Sequence, residues 1–197
     1  MTEKSKISQR LIVAISGASG AVYGVTALRA LRRCRIESHL VVSKAAALSL
    51  TAELDMTLSD IQALADVSYK PADIGAAIAS GSFRTLGMLV APCSVKTLGE
   101  IATGVTASLI SRAADVCLKE RRRVVLMVRE SPLHLGHLRS MAAVTEMGAI
   151  VAPPMPAFYT RPQTLDDMVE QTIGRALDLF DIDAGFKRWG EDLGFNT

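Results

Sequence analysis

Four short apolar runs in this chain each stop at a polar cluster. Residues 12–15 run into Ser16-Gly17-Ala18-Ser19-Gly20, 40–42 into Ser43-Lys44, 88–90 into Ala91-Pro92-Cys93-Ser94, and 124–128 into Arg129-Glu130. Glycine permits close backbone approach to a ligand, and serine hydroxyls and helix N-termini bind anions. A guanidinium grips phosphate bidentately, and a carboxyl group beside it can carry a proton. If the runs are parallel strands, all four clusters fall on one sheet edge, where open α/β sheets bind their ligands. The types and spacing point to a phosphate-bearing cofactor held by glycine, serine and arginine.

Taken singly, each cluster has a plainer reading. Gly17-Ala18-Ser19-Gly20 has neither the dinucleotide spacing nor the Gly-Lys-Ser/Thr of a P-loop, and a simple tight turn would also use it. Ser43 and Ser94 suit helix N-caps, Thr97 a first-turn residue and Lys96 an exposed charge. Cys93 has no histidine placed to activate it, so a small buried residue is the expected role. Near 107–121, Ile110, Ala113, Ala114 and Cys117 form an apolar helical stripe, with Arg112, Asp115 and Lys119 on the other side. That polar face suits solvent, or the supply of cations to a neighbouring subunit's site. His134 and His137 lack a third ligand motif, so no metal site is expected.

Elements must position these groups. The 197 residues suit one domain with a substantial core, and 49% apolar against 5% aromatic residues means that small aliphatic side chains fill it. Apolar runs alternate with helical patterns, which predicts a Rossmann/flavodoxin-like three-layer α/β/α sandwich with a mostly parallel sheet. Strands are expected near 10–16, 36–42, 86–91, 123–128 and 149–152. Helices are expected near 20–33, 44–53, 57–65, 94–102, 107–121, 134–147 and 164–180. In the last, Leu165, Met168, Val169, Thr172, Ile173, Ala176, Leu177 and Phe180 predict one buried stripe flanked by Arg175, with a capping box from Thr164 to Asp167. The α/β domain would span 10–190, between tails at 1–9 and 191–197. Residues 70–83 read as a mobile lid or an ordered edge, and four prolines stiffen 153–162.

A net charge of +2 gives no reason to expect nucleic acid, and Arg32-Arg33 and Arg121-Arg122-Arg123 read as solvated helix ends. No run approaches the ~20 apolar residues of a membrane span. Three scattered cysteines support neither a disulfide framework nor zinc, and a reducing cytoplasm is the simplest setting.

The ordered set of motifs resembles the UbiX-type flavin prenyltransferases, relatives of the flavin-containing cysteine decarboxylases, over about residues 10–189. Its markers are Ser16-Gly17-Ala18-Ser19-Gly20, Ser43-Lys44-Ala45-Ala46, Ala79-Ser80-Gly81-Ser82-Phe83, Pro92-Cys93-Ser94-Val95-Lys96-Thr97, Arg112-Ala113-Ala114-Asp115-Val116, Leu118-Lys119-Glu120, Arg129-Glu130 and Pro153-Pro154-Met155-Pro156-Ala157-Phe158-Tyr159. Some relatives carry a cysteine where this chain has Ala91, and a tryptophan in the stretch matching 73–78, where it has none.

The resemblance implies transfer of a dimethylallyl group from dimethylallyl phosphate to N5 and then C6 of reduced FMN, without a metal. The product would be prenylated FMN for a UbiD-type decarboxylase, with ubiquinone synthesis the expected pathway. By the same resemblance, Gly17, Ala18, Ser19, Ser43, Ser94, Val95, Lys96, Thr97 and Arg129 hold FMN. Tyr159, Arg175, Lys119 and Arg112 hold the dimethylallyl phosphate, the last two across a subunit boundary in a homo-oligomer, a dodecamer among relatives. Glu130 and Ser19 move protons, Lys119 assists phosphate departure, and Glu53 matches a further position near the site. The competing readings are a flavin-dependent decarboxylase or its accessory subunit, and a non-catalytic FMN carrier. The cysteine decarboxylases of the wider group carry a Pro-Ala-Ser-Ala-Asn-Thr-like segment in place of 92–97, which counts against the first.

Overall fold

Neighbouring residues of one strand enter different cores. Leu11, Val13 and Ile15 join Leu40, Val42, Leu89, Val125 and Met127 on one side, while Ile12 and Ala14 join Val41, Met88, Val90, Val124 and Leu126 on the other. Strands buried on both faces need unbroken apolar runs, which is why these segments show no polar alternation. The computed structural model describes residues 9–191. Its strands are β1 (Arg10–Ile15), β2 (Glu37–Val42), β3 (Val67–Tyr69), β4 (Gly87–Cys93), β5 (Arg123–Val128) and β6 (Ile150–Val151). They form a parallel sheet in the order β3-β2-β1-β4-β5-β6. Apart from Gln9 and Glu191, the tails expected at 1–9 and 191–197 lie outside the described residues.

The helices are α1 (Ala21–Arg33), α2 (Lys44–Glu53), α3 (Leu58–Gln62), α4 (Val95–Thr103), α5 (Leu109–Lys119), α6 (Leu135–Glu146) and α7 (Leu165–Asp178). α1 and α7 cover the first core through Leu28, Leu31, Ile173 and Leu177. α4, α5 and α6 cover the second through Leu98, Ile110, Ala113, Cys117 and Val144, giving the α/β/α layering. Fully burying each Leu, Ile or Val is worth about 1.5–3 kcal/mol, so the two cores hold the strand ends in fixed relation.

Some expectations change. β3 was not predicted: it is three residues long at the sheet edge, and its fixing contacts are long-range. The Asp66 carboxylate accepts from Ser38 N (2.7 Å) and Ser38 Oγ (2.8 Å), and Tyr69 Oη lies 2.9 Å from His39 Nδ1. The helix expected over 57–65 stops at Gln62. The α7 stripe is buried only from Gln171 onward, and Leu165 is 79% exposed. Its capping box is present: Thr164 Oγ1 accepts from Asp167 N at 3.1 Å, and the Asp167 carboxylate accepts from Thr164 N at 3.0 Å.

The arginine triplet is not a solvated helix end. Arg123 begins β5 and pairs with Asp181 (2.9 Å), while Arg122 donates to Gly81 O (2.8 Å) and Phe83 O (2.6 Å). Those bonds, with Leu109 N donating to Pro71 O (2.9 Å), make 70–83 an ordered edge.

Candidate active site

The chain winds outward from β1 to β3 and then returns to β4, so β1 and β4 are neighbours whose following loops leave in opposite directions. That reversal opens a crevice at the strands' carboxyl ends. Buried Ser16 fixes its floor: its Oγ donates to Pro92 O (2.9 Å) and accepts from Ser94 N (2.7 Å). Above it lies a cavity of about 710 Å³ lined by Gly17, Ala18, Ser19, Ser43, Ser94, Val95, Lys96, Thr97, Arg129 and Glu130. Every residue expected to hold the cofactor is here, together with the expected acid. The cavity is within the range of small-molecule sites, ~300–1,000 Å³.

Gly17 is required by close approach, since a Cβ there would stand 2.5 Å from the Ala45 methyl. Ser43 and Ser94 are both N-caps and cavity residues. Ser43 Oγ accepts from Ala46 N (3.0 Å) and Ser94 Oγ from Thr97 N (3.3 Å), which fixes each oxygen at the cavity edge. Lys96 is largely exposed and pairs with Glu100 one turn on, so the plain reading holds for its charge although its stem lines the wall.

One expectation needs correction. The start of α1 does not offer all its N–H groups to an anion, because the Glu53 carboxylate accepts from Gly20 N (2.8 Å) and Ala21 N (3.0 Å). Burial alone would raise the Glu53 carboxyl. The Gly20 N–H, the Ser19 hydroxyl, the Ala21 N–H and the Arg129 charge outweigh it and hold the group below its ordinary 4.5. Glu53 is thus an ionised cap on the start of α1, beside the cavity. Among the described residues Arg129 has no salt-bridge partner, so its fork remains available to a ligand. Glu130 is exposed, and its Oε1 accepts from Ser131 N (2.9 Å).

Four expected site residues lie elsewhere in the single chain. Tyr159 and Arg175 together line a separate cleft of about 320 Å³ between β5–β6 and α7, where Arg175 pairs with Asp178 (3.3 Å). The Tyr159 ring meets Trp189 edge-on, centroids 5.1 Å apart. Lys119 lines a groove of about 480 Å³ with Ser111 and Asp115, and Arg112 pairs with Asp115 (2.6 Å). Glu100 borders both this groove and the main cavity.

Cys93 is fully buried and burial pushes its thiol up to about 12, so it is the packed residue expected, not a nucleophile. His134 caps α6, its Nδ1 accepting from Gly136 N (3.0 Å), and no metal-binding group of three ligands occurs among the described residues. Lys44, from the Ser43-Lys44 cluster, also lines the main cavity, as do Pro71, Ala72, Glu100, Ala107 and Ser108, which were not anticipated. For Ser108 a signal existed: a serine three residues before another serine marks an N-cap, and both bonds of that box form. Pro71 and Ala72 carry no local signal, because they reach the wall through the edge strand.

Comparison with known proteins agrees with this geometry. The flavoprotein family model matches residues 1–176. Flavin prenyltransferase UbiX of Escherichia coli K12 is 57% identical over 185 residues, covering 92% of this chain and 98% of that protein. The crystal structure of AnUbiX (PadA1) in complex with FMN and dimethylallyl pyrophosphate superposes with a TM-score of 0.91 at 50% identity, over 92% of this chain and 97% of that one. A dodecameric FMN-dependent UbiX-like decarboxylase from Escherichia coli O157:H7 gives 0.89 at 49% identity, over 92% and 99%. With the fold, the crevice and the motifs all coinciding, the chain belongs to the flavoprotein family and, within it, to the UbiX-type flavin prenyltransferases.

Proposed function

We propose that this chain transfers the dimethylallyl group of dimethylallyl phosphate to N5 and C6 of reduced FMN. The prenylated FMN would serve a UbiD-type decarboxylase in ubiquinone synthesis, in the cytoplasm. The observation that carries the reading is the switch-point cavity, which gathers the flavin-site motifs from four strand ends in a chain 57% identical to a flavin prenyltransferase. The residues present fit FMN: the room is about 710 Å³, the backbone at Gly17 is bare, hydroxyls and helix N-termini face inward, and Arg129 is unpaired among the described residues.

When bound, reduced FMN supplies the electron-rich nitrogen and carbon that accept the allyl group. The rest falls to the chain. Ser43, the 17–19 turn, residues 94–97 and Arg129 bind and orient the cofactor. Glu130, at the cavity edge, assists the proton transfer linked to phosphate departure and ring closure. Ser19, on the cavity wall next to the α1 start that Glu53 caps, relays the proton lost at the flavin edge. Without a metal, cations must stabilise the leaving phosphate, and they act most strongly where water is excluded. Lys119, Arg112, Tyr159 and Arg175 supply that half of the site, with adjoining subunits of a homo-oligomer, a dodecamer, bringing their surfaces to the main cavity.

Anaerobic incubation of the purified protein with reduced FMN and dimethylallyl phosphate, without added metal, tests this. Mass spectrometry should show the flavin heavier by one five-carbon unit. Recovery of unmodified flavin from folded, flavin-loaded protein would reject it in favour of storage or decarboxylation.

A further inference from the structure

Lys119 and the adjacent Glu120 form an ion pair, Nζ to Oε1 2.5 Å, lying flush on the backbone of Gly81. A Cβ at position 81 would stand 2.4 Å from the carboxylate oxygen and 2.9 Å from the ammonium nitrogen. The loop beneath is held by the two hydrogen bonds from Arg122 to Gly81 O and Phe83 O and by the Ser80 and Ser82 hydroxyls, 2.9 Å apart. The hydrogen bond from Lys119, then its charge, hold the Glu120 carboxyl below its ordinary 4.5, so it is ionised at neutral pH. The ammonium therefore sits on a braced loop with one anionic partner already beside it.

Resting on the reading that Lys119 grips the donor's phosphate, we propose that Glu120 sets a preference for a monophosphate over a diphosphate donor. An incoming phosphate must share Lys119 with this carboxylate or displace it. A phosphate monoester carries about −1.5 to −2 at neutral pH, and a diphosphate ester carries more. Lys119 attracts the more highly charged diphosphate more strongly, and the fixed Glu120 carboxylate repels it more strongly, so Glu120 removes the advantage the diphosphate would have at Lys119. Exposed ion pairs are weak, so the expected change in affinity is small, about two- to fivefold.

The test measures KM and kcat of the assembled, reduced-FMN-loaded enzyme for dimethylallyl phosphate and dimethylallyl diphosphate, with inhibition by inorganic phosphate and pyrophosphate. Glu120→Gln should lower KM for the monophosphate about two- to fivefold and strengthen diphosphate and pyrophosphate binding by a larger factor, with kcat little changed. Added salt should shrink the difference. An unchanged or raised KM, or an equal gain for both phosphate classes, overturns the proposal. Lys119→Met separates it from its premise. If that variant weakens both donors while Glu120→Gln fails to tighten them, only the proposal falls. If Lys119→Met leaves both untouched, Lys119 is not the phosphate ligand and both fall.

Discussion

The crevice between β1 and β4 and the surface around β6 and α7 are built on opposite plans. The crevice is assembled within one chain. Its serines are engaged as caps, its floor is stitched by Ser16, and its walls come from loops pinned by two cores. The outer surface instead leaves Phe158 70% and Met155 74% exposed and carries Tyr159 and Arg175 in a cleft, while the other two candidates, Lys119 and Arg112, sit on α5 in the opposite helical layer. A chain can complete a cofactor cradle alone when one sheet edge gathers every part. Under the proposed function, cations that sit on separate outer faces are brought together by another copy of the chain.

Glu130→Gln gives the largest expected effect. Loss of a positioned proton carrier costs about a hundredfold or more in rate, and flavin retention should persist because the cradle is intact. Rapid-quench assay of the prenylated product beside flavin absorbance would show this, and loss of bound flavin would mean that Glu130 belongs to the cradle. Phe158→Asp comes next. It should disrupt assembly in size-exclusion light scattering and lower prenylation about tenfold or more if positioning across subunits is lost, with flavin binding retained. Full activity of a monomeric variant would erase the distinction between the two regions.

Ser16→Ala sharpens the comparison from the other side. It leaves the buried Ser94 N–H without its partner, at a cost of about 1–3 kcal/mol, to be read by urea unfolding, with weaker flavin retention. The smallest effect concerns acid. Glu53 has a folded pKa below its ordinary 4.5, so its contribution is present above that value and is lost as pH falls through the lower, folded pKa. Thermal unfolding between neutral pH and pH 3 should show a shallower acid decline in Glu53→Gln than in the native chain; an identical decline would mean that the cap is unimportant.

The central strands were legible because burial on both faces demands apolar runs, and each run's end marks the ligand edge. Ser43, Ser94 and Thr164 were legible as caps because a cap bonds within three residues. The failures share one cause. Glu53 reaches Gly20 across 33 residues, and Arg122 reaches Gly81 across 41. Leu165 continues a helical stripe that the core no longer covers. Periodicity reports which face of a helix is apolar, not where the neighbouring layer stops.

By itself, then, the sequence determined the parallel α/β layering, the motif set that marks the flavin-prenyltransferase family and the chemistry available at the sheet edge, since these follow from side-chain type and local spacing. Only the tertiary structure decided that Glu53 closes the start of α1, that 70–83 is a braced wall, and that Tyr159 and Arg175 share one cleft while Lys119 sits in another. Those outcomes depend on which distant segments are brought within a few ångströms, and that is set by the order of the strands and the packing of both cores.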